Sequence, residues 1–188
     1  MSMGLDGIRP HPGFYARVWP RTVLPVNTMQ VWWCNQSKCW AVERRAELVI
    51  GNCNTKQPAY RQTVGEVKAG DITLHYVRPQ IRAVSLAMTD AQYSDTLPII
   101  GPESYDFGWS FKAEYFDFDP PIPVDDVRGK IVELLRTQPA PRETGFAFLG
   151  PKQARPGDIL PSYFLRFSLA GLQVVKNASK VKWPEWVP

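Results

Sequence analysis

Cysteine, histidine and long apolar runs are what this chain has least of. Among 188 residues there are three cysteines and two histidines. Cys34, Cys39 and Cys53 with His11 and His75 make no recognisable metal-ligand spacing, so neither metal nor cofactor is expected. An odd count rules out a fully paired disulfide framework, and free thiols suit a reducing cytoplasm. No apolar stretch approaches the roughly 20 residues of a membrane helix, and the first residues lack an apolar signal core, which points to a cytoplasmic protein without a membrane partner. The glycines stand in isolated turns, which excludes a glycine-rich phosphate loop, and no internal repeat occurs. Lys and Arg are missing from residues 114 to 126, which carry Glu114, Asp117, Asp119, Asp125 and Asp126. Setting those five aside leaves 13 acidic against 22 basic residues, a surplus that suits a polyanion as well as a solvated basic surface.

What the chain does have is a 44% hydrophobic content broken into short runs, with 18 prolines against 13 glycines. This favours strands, turns and irregular connections in a single core-bearing domain over a helical bundle. Residues 1 to 27 read as an irregular arm whose Arg9, Arg17 and Arg21 either touch a phosphate backbone or pack on the domain. "MQVWWCN" is a strand, residues 40 to 46 a short helical turn, and "ELVI" a strand. "PAYRQTVGEVKAGD" spaces Tyr60, Val64 and Val67 helically and ends at Gly70. "GDITLHYV" and "IRAVSLAMT" are half-buried strands, with Ile72, Leu74 and Tyr76 on one face, and Ile81, Ala83 and Ser85 set against Val84 and Leu86. Residues 90 to 108 read as a loop. "GWSFKAEYFDF" is a strand, and Val127, Ile131, Leu134 and Leu135 mark a helix capped by Asp125 or Asp126. A long loop from 140 to 162, a last strand or helix in "YFLRFSLAGLQVV", and a tail or linker over 177–188 complete an α+β chain with a strongly curved sheet or small barrel, its main domain spanning 28–176.

Chemistry of the enzymatic kind finds little support. His75 sits between Leu74 and Tyr76 with no neighbouring carboxylate or nucleophile, and no motif ties it to a cysteine. Prolines 120, 121 and 123 interrupt the aspartates that would otherwise suggest a divalent cation. The stretch "VWWCNQSK" is different, because it sets Trp32 and Trp33 beside Asn35, Gln36 and Ser37. Neighbouring strand residues point to opposite faces, so one indole is expected in the core and the other, Trp33, is left to pack or to stack on a ligand.

Three segments together resemble the EVE and YTH branch of the PUA-like superfamily, in particular the EVE-type domains that precede HNH nucleases in modification-dependent restriction enzymes. "VWWCNQ" is similar to the family's opening strand. "EVKAGDITLHYVRPQIRAVSLA" resembles its Gly-Asp strand, short turn and Ile-x-Ala return strand. "YDFGWSFKAEYFDFDPPI" resembles its next strand, where a Gly-Trp precedes an alternating run. The matched motifs span about 31 to 135.

The resemblance implies a PUA-like reader of double-stranded DNA with a modified base, foremost a modified cytosine, and nuclease activity on a separate domain or subunit. Such readers turn the base out into a pocket of aromatic rings and amides. The logic is physical: an extruded base loses its stacking, and each aromatic side chain restores about 1–3 kcal/mol. Amides match the mixed donors and acceptors of a base edge. By resemblance the pocket uses Trp33, Asn35, Gln36 and Ser37, then the segment "VIGNCN" with Ile50, Gly51 and Asn52, then Tyr105 and Trp109. Trp109 also fits the core. Relatives place a tryptophan where this chain has Ile50, so an aliphatic wall, substitution by Trp40 or Trp33, or a lost cage are all open. Lys38, Arg78 and Arg82 are the expected phosphate contacts. Two further readings stand beside this one: a PUA-like module for RNA, including modified RNA, and a small-molecule or protein-interaction domain without a base cage.

Overall fold

The computed structural model describes residues 29–37, 39–52, 59–97, 107–137, 158–159 and 163–188. The arm over 1–27 and most of the 140–162 loop therefore lie outside the described residues. Strand β1 (Val31–Asn35) leads to helix α1 (Trp40–Ala46) and strand β2 (Leu48–Asn52). A 3-10 helix (Ala59–Glu66) precedes β3 (Ile72–Val77), β4 (Gln80–Ala87) and a short β5 (Gln92–Ser94). The long β6 (Gly108–Pro123) runs into α2 (Asp125–Thr137), and β7 (Phe164–Phe167) into α3 (Leu169–Ala178).

The strands form one mixed sheet in the order β2-β6-β4-β3-β1-β7, with β5 on the free side of the start of β6. Among the described residues only β1 and β3 run parallel; the remaining pairs are antiparallel. The sheet curls into a half-barrel, and the 3-10 helix packs against both terminal strands, β2 and β7. The fold is thus α+β, a strongly curved sheet with short flanking helices.

Alternation sorts the side chains onto two faces. Val31, Trp33, Ile72, Leu74 and Tyr76 point outward into the principal core with Val127, Ile131 and Leu135 of α2 and Leu172 and Val175 of α3. Trp32, Cys34, Phe111, Ala113 and Phe164 point inward with Val49, Val64 and Val67. The expected spacing of α2 holds at Val127, Ile131 and Leu135. Ser168 caps α3 by accepting from the Gly171 amide at 2.9 Å, and Gly171 admits the Phe167 ring, which an added Cβ would meet at 2.7 Å.

One alternation expected from sequence fails. Tyr76 pairs with Ile81 but His75 with Ala83, so Arg82 is an extra residue and Ile81 turns to the outer core, away from Ala83 and Ser85. A bulge reverses facing without altering residue order. The expected loop over 90–108 also contains β5, and β6 continues through Pro120, Pro121 and Pro123. Residues expected as a tail or linker lie on the principal core: Val187 is buried there, Trp183 meets Phe118 with centroids 4.7 Å apart, and Lys176 Nζ donates to the carbonyls of Val187 and Pro188.

The Gly-Asp entry to β3 has a local cause. Gly70 takes φ 93°, a conformation that favours glycine. Asp71 behind it is buried and accepts three N–H groups, from Gln30 at 2.9 Å, from the Trp32 indole at 2.9 Å and from Lys68 at 3.0 Å. Satisfied donors on every side are what a buried carboxylate needs.

Candidate functional site

The inner face carries a polar stripe from segments far apart in sequence. Cys34 from β1, Thr73 and His75 from β3, Ser85 from β4 and Tyr115 from β6 share it, and Glu43 reaches in from α1. Gln36, 1% exposed, is the hub. Its Nε2 donates to the Glu43 carboxyl and, at 3.4 Å, to the Tyr115 hydroxyl. Its Oε1 therefore faces His75 Nδ1, 2.6 Å away. An amide oxygen only accepts, so this network assigns the His75 proton to Nδ1, and Nε2 accepts from Ser85 Oγ at 2.7 Å. Tyr163 donates to Glu43 at 2.7 Å, and Tyr115 donates to the Leu48 carbonyl at 3.0 Å.

Burial keeps this network uncharged. It pushes the Glu43 carboxyl up to about 8, against the opposing pull of the Tyr163 and Gln36 hydrogen bonds. It lowers His75 to about 3, helped by the positive Arg44. The Cys34 thiol and the Tyr115 and Tyr163 phenols are all raised, first of all by burial. Ser85, His75 and Gln36 are arranged as a hydroxyl, a base and an orienting group. Ser85 and His75 are fully buried, and the network ties α1 to β3, β4 and β6.

The residues nominated from sequence distribute around this hub. Trp33 is 0% exposed, between Tyr76 and Phe167 in the outer core. Of the two readings left open for Trp33 the structure takes packing, and Trp32 is buried as well, on the opposite face, under the Phe164 ring at 5.2 Å. Asn35 and Ser37 stay at the surface, where Ser37 Oγ donates to Asn35 Oδ1 at 3.2 Å and accepts from the Arg78 amide at 3.1 Å. Arg78 and Arg82 are exposed. Ile50 is buried with Leu97 beside Val42 and Leu48. Gly51 pairs with Trp109, and Asn52 with Gly108. Trp109, half-buried, lies against Gly65 and meets the Tyr93 ring edge-on at 5.5 Å. Lys38, Tyr105 and the side chain of Asn52 lie outside the described residues.

Sequence reasoning did not bring Glu43, Ser85, Tyr115 and Tyr163 to this site, and it set His75 aside for want of a neighbouring partner. A trace was present: Thr73 and His75 alternate with Ile72, Leu74 and Tyr76, so a strand apolar on one face is polar on the other, and both faces proved buried.

No protein-family model matches the chain, and no curated protein matches it in sequence. Among the described residues no helix is long and apolar enough to cross a membrane, and no group of three or more His, Cys, Asp or Glu side chains could hold a metal ion.

Proposed function

We propose that this domain reads nucleic acid bearing a modified base, with cytosine-modified double-stranded DNA as its ligand, and that in the cytoplasm it supplies specificity to a nuclease domain or subunit of a restriction system. The observation that carries the reading is a convergence. Gly51 of β2 lies in register with Trp109 at the start of β6. Gln36, just past the end of β1, is tied to the same two strands farther along, through the Tyr115 hydroxyl, which donates to the Leu48 carbonyl. β1, β2 and β6 are the strands that carry the described residues named for the pocket.

Asn35 and Ser37 stand at the surface end of β1, and Gly51 lies in register with Trp109. Gln36, with its oxygen and nitrogen both engaged by protein groups, acts as a positioning residue. Edge reading falls to Asn35, and stacking to the partly exposed ring of Trp109. Ile50 is 2% exposed and packed with Leu97, so no aliphatic wall is assigned to it.

The test is equilibrium binding of the chain to duplexes identical except for cytosine, 5-methyl, 5-hydroxymethyl or glucosylated cytosine, or N6-methyladenine, with matching RNA strands. The expected result is a preference of about tenfold, roughly 1.4 kcal/mol, for one modified DNA, lost in Asn35→Ala. Equal, steeply salt-dependent binding to every strand would reduce the protein to a basic surface, and tighter binding to RNA would replace the DNA reading.

A further inference from the structure

The β4–β6 ladder opens at one place. Ala83 pairs with Asp117 and Ile81 with Ile122, so a single residue of β4, Arg82, faces the four residues of β6 from Phe118 to Pro121. Bulges interrupt pairing and re-aim a side chain. Here the strands part around a groove of about 200 Å³ lined by Trp40, Arg44, Arg82, Asp117, Phe118 and Pro121.

The polar groups of this groove differ in how far they are committed. Arg44 is fixed: its Nε and Nη2 donate to the Asp117 carboxylate at 3.0 and 2.7 Å, and its guanidinium carbon sits 5.1 Å from the centre of the Tyr115 ring. The pair is neutral as a unit. Arg82 is exposed and has no ion-pair partner among the described residues. The Trp40 indole packs against the rings of His75, tilted at 50°, and Tyr115, edge-on at 77°, each 5.9 Å away between centroids. An aromatic ring held by two others, a fixed donor–acceptor pair and one unbalanced guanidinium thus share one small concavity.

We infer that this groove holds one nucleotide of a nucleic-acid strand, with its base against Trp40 and its phosphate on Arg82. A guanidinium fork recognises phosphate oxygens through paired N–H donors, and an indole offers stacking to any base. The volume is below the roughly 300–1,000 Å³ of drug-sized pockets, which suits one planar ring and rejects a folded peptide. The inference rests on the nucleic-acid reading and extends it: the groove is a contact for an unmodified nucleotide flanking the base that is read, separate from Asn35 and Trp109.

The test uses the whole chain labelled with 15N, following the Trp40 indole N–H signal identified by its loss in Trp40→Phe. Thymidine monophosphate, thymidine and inorganic phosphate are titrated in turn. Saturable movement is expected with the monophosphate, at an affinity neither fragment matches, and weakened about tenfold in Arg82→Ala. Arg82→Gln should weaken it comparably, and both variants should melt with the parent because Arg82 is exposed. Unchanged binding in the Arg82 variants, or phosphate alone binding as tightly as the nucleotide, overturns the inference. If modified duplexes are still preferred while Arg82→Ala binds normally, the groove fails and the base reading stands. Nucleotide binding without any modification preference has the reverse meaning.

Discussion

Gln36 and His75 are joined by a 2.6 Å hydrogen bond in the fully buried interior of the half-barrel. That bond places a proton on His75 Nδ1 and leaves Nε2 to accept from Ser85. It also spends the amide oxygen of a residue that, read from sequence, was an attractive reader of base edges.

Gln36→Ala is therefore expected to act on stability. It strands the His75 N–H and removes the amide donor from Glu43 and Tyr115, and buried polar groups left without partners cost about 1–3 kcal/mol each. A loss of about 3 kcal/mol in urea unfolding is expected. Asn35→Ala, at the half-exposed end of the same strand, should stay within about 0.5 kcal/mol while weakening ligand binding. The opposite pattern would return Gln36 to the binding surface.

Glu43 and His75 set a pH profile. The folded Glu43 carboxyl sits at about 8 against an ordinary 4.5, so the folded state binds the extra proton. Its contribution is complete below about pH 4.5 and is lost as pH rises to about 8. His75, at about 3 against 6.5, works the other way: its contribution is complete above about 6.5 and is lost as pH falls toward 3. The two slopes oppose between about 4.5 and 6.5, and above that only Glu43 acts. One proton gives about 1.4 kcal/mol per pH unit, so stability should fall by about 2 kcal/mol from pH 6.5 to 8. Urea midpoints across this range should show the fall in the parent and a flat line in Glu43→Gln.

Gly65 lies flat against the Trp109 indole, where an added Cβ would come 2.7 Å from Cε2 and 2.8 Å from Cδ2. Gly65→Ala should destabilise by about 1–3 kcal/mol through overpacking. Trp109→Leu in the same chain should recover part of it, because the smaller side chain frees the contact. Additive losses in the double variant would show that the two residues do not press on each other.

Asp71 is a further stability site. Asp71→Ala strips acceptors from the Gln30 and Lys68 amides and the Trp32 indole together, an expected loss of about 3 kcal/mol or more. Asp71→Asn keeps one acceptor oxygen and should fall between parent and Ala. Thermal melts of the three proteins rank them, and equal melting of Asn and Ala variants would remove the shared-acceptor explanation.

Much of the fold was legible because its signals are local. Ile72, Leu74 and Tyr76 keep a period of two, Val127, Ile131 and Leu135 keep a helical one, and Gly70 marks the turn into β3. Ile81 was misplaced because a bulge at Arg82 changes facing without leaving a mark in residue type. Three residues of β5 were too few to stand out against a loop. At the site, Asn35 and Ser37 lie at the surface while Gln36 and Trp33 are buried, since sequence alternation separates two faces and does not say which is exposed. In a sheet covered on both sides, neither is.

Residue order alone determined which segments become strands and helices, that one strand end gathers indoles and amides, and that the charge surplus lies outside residues 114 to 126. Only the tertiary structure decided that Gln36 is a buried hub, that Glu43 and Tyr163, 120 residues apart, share a proton network, and that Trp40, Arg44 and Arg82 line one groove. The reason is physical. Periodicity is set by backbone geometry within a few residues, whereas burial, hydrogen-bond partners and the acidity of a side chain depend on neighbours that arrive from distant parts of the chain when the sheet curls.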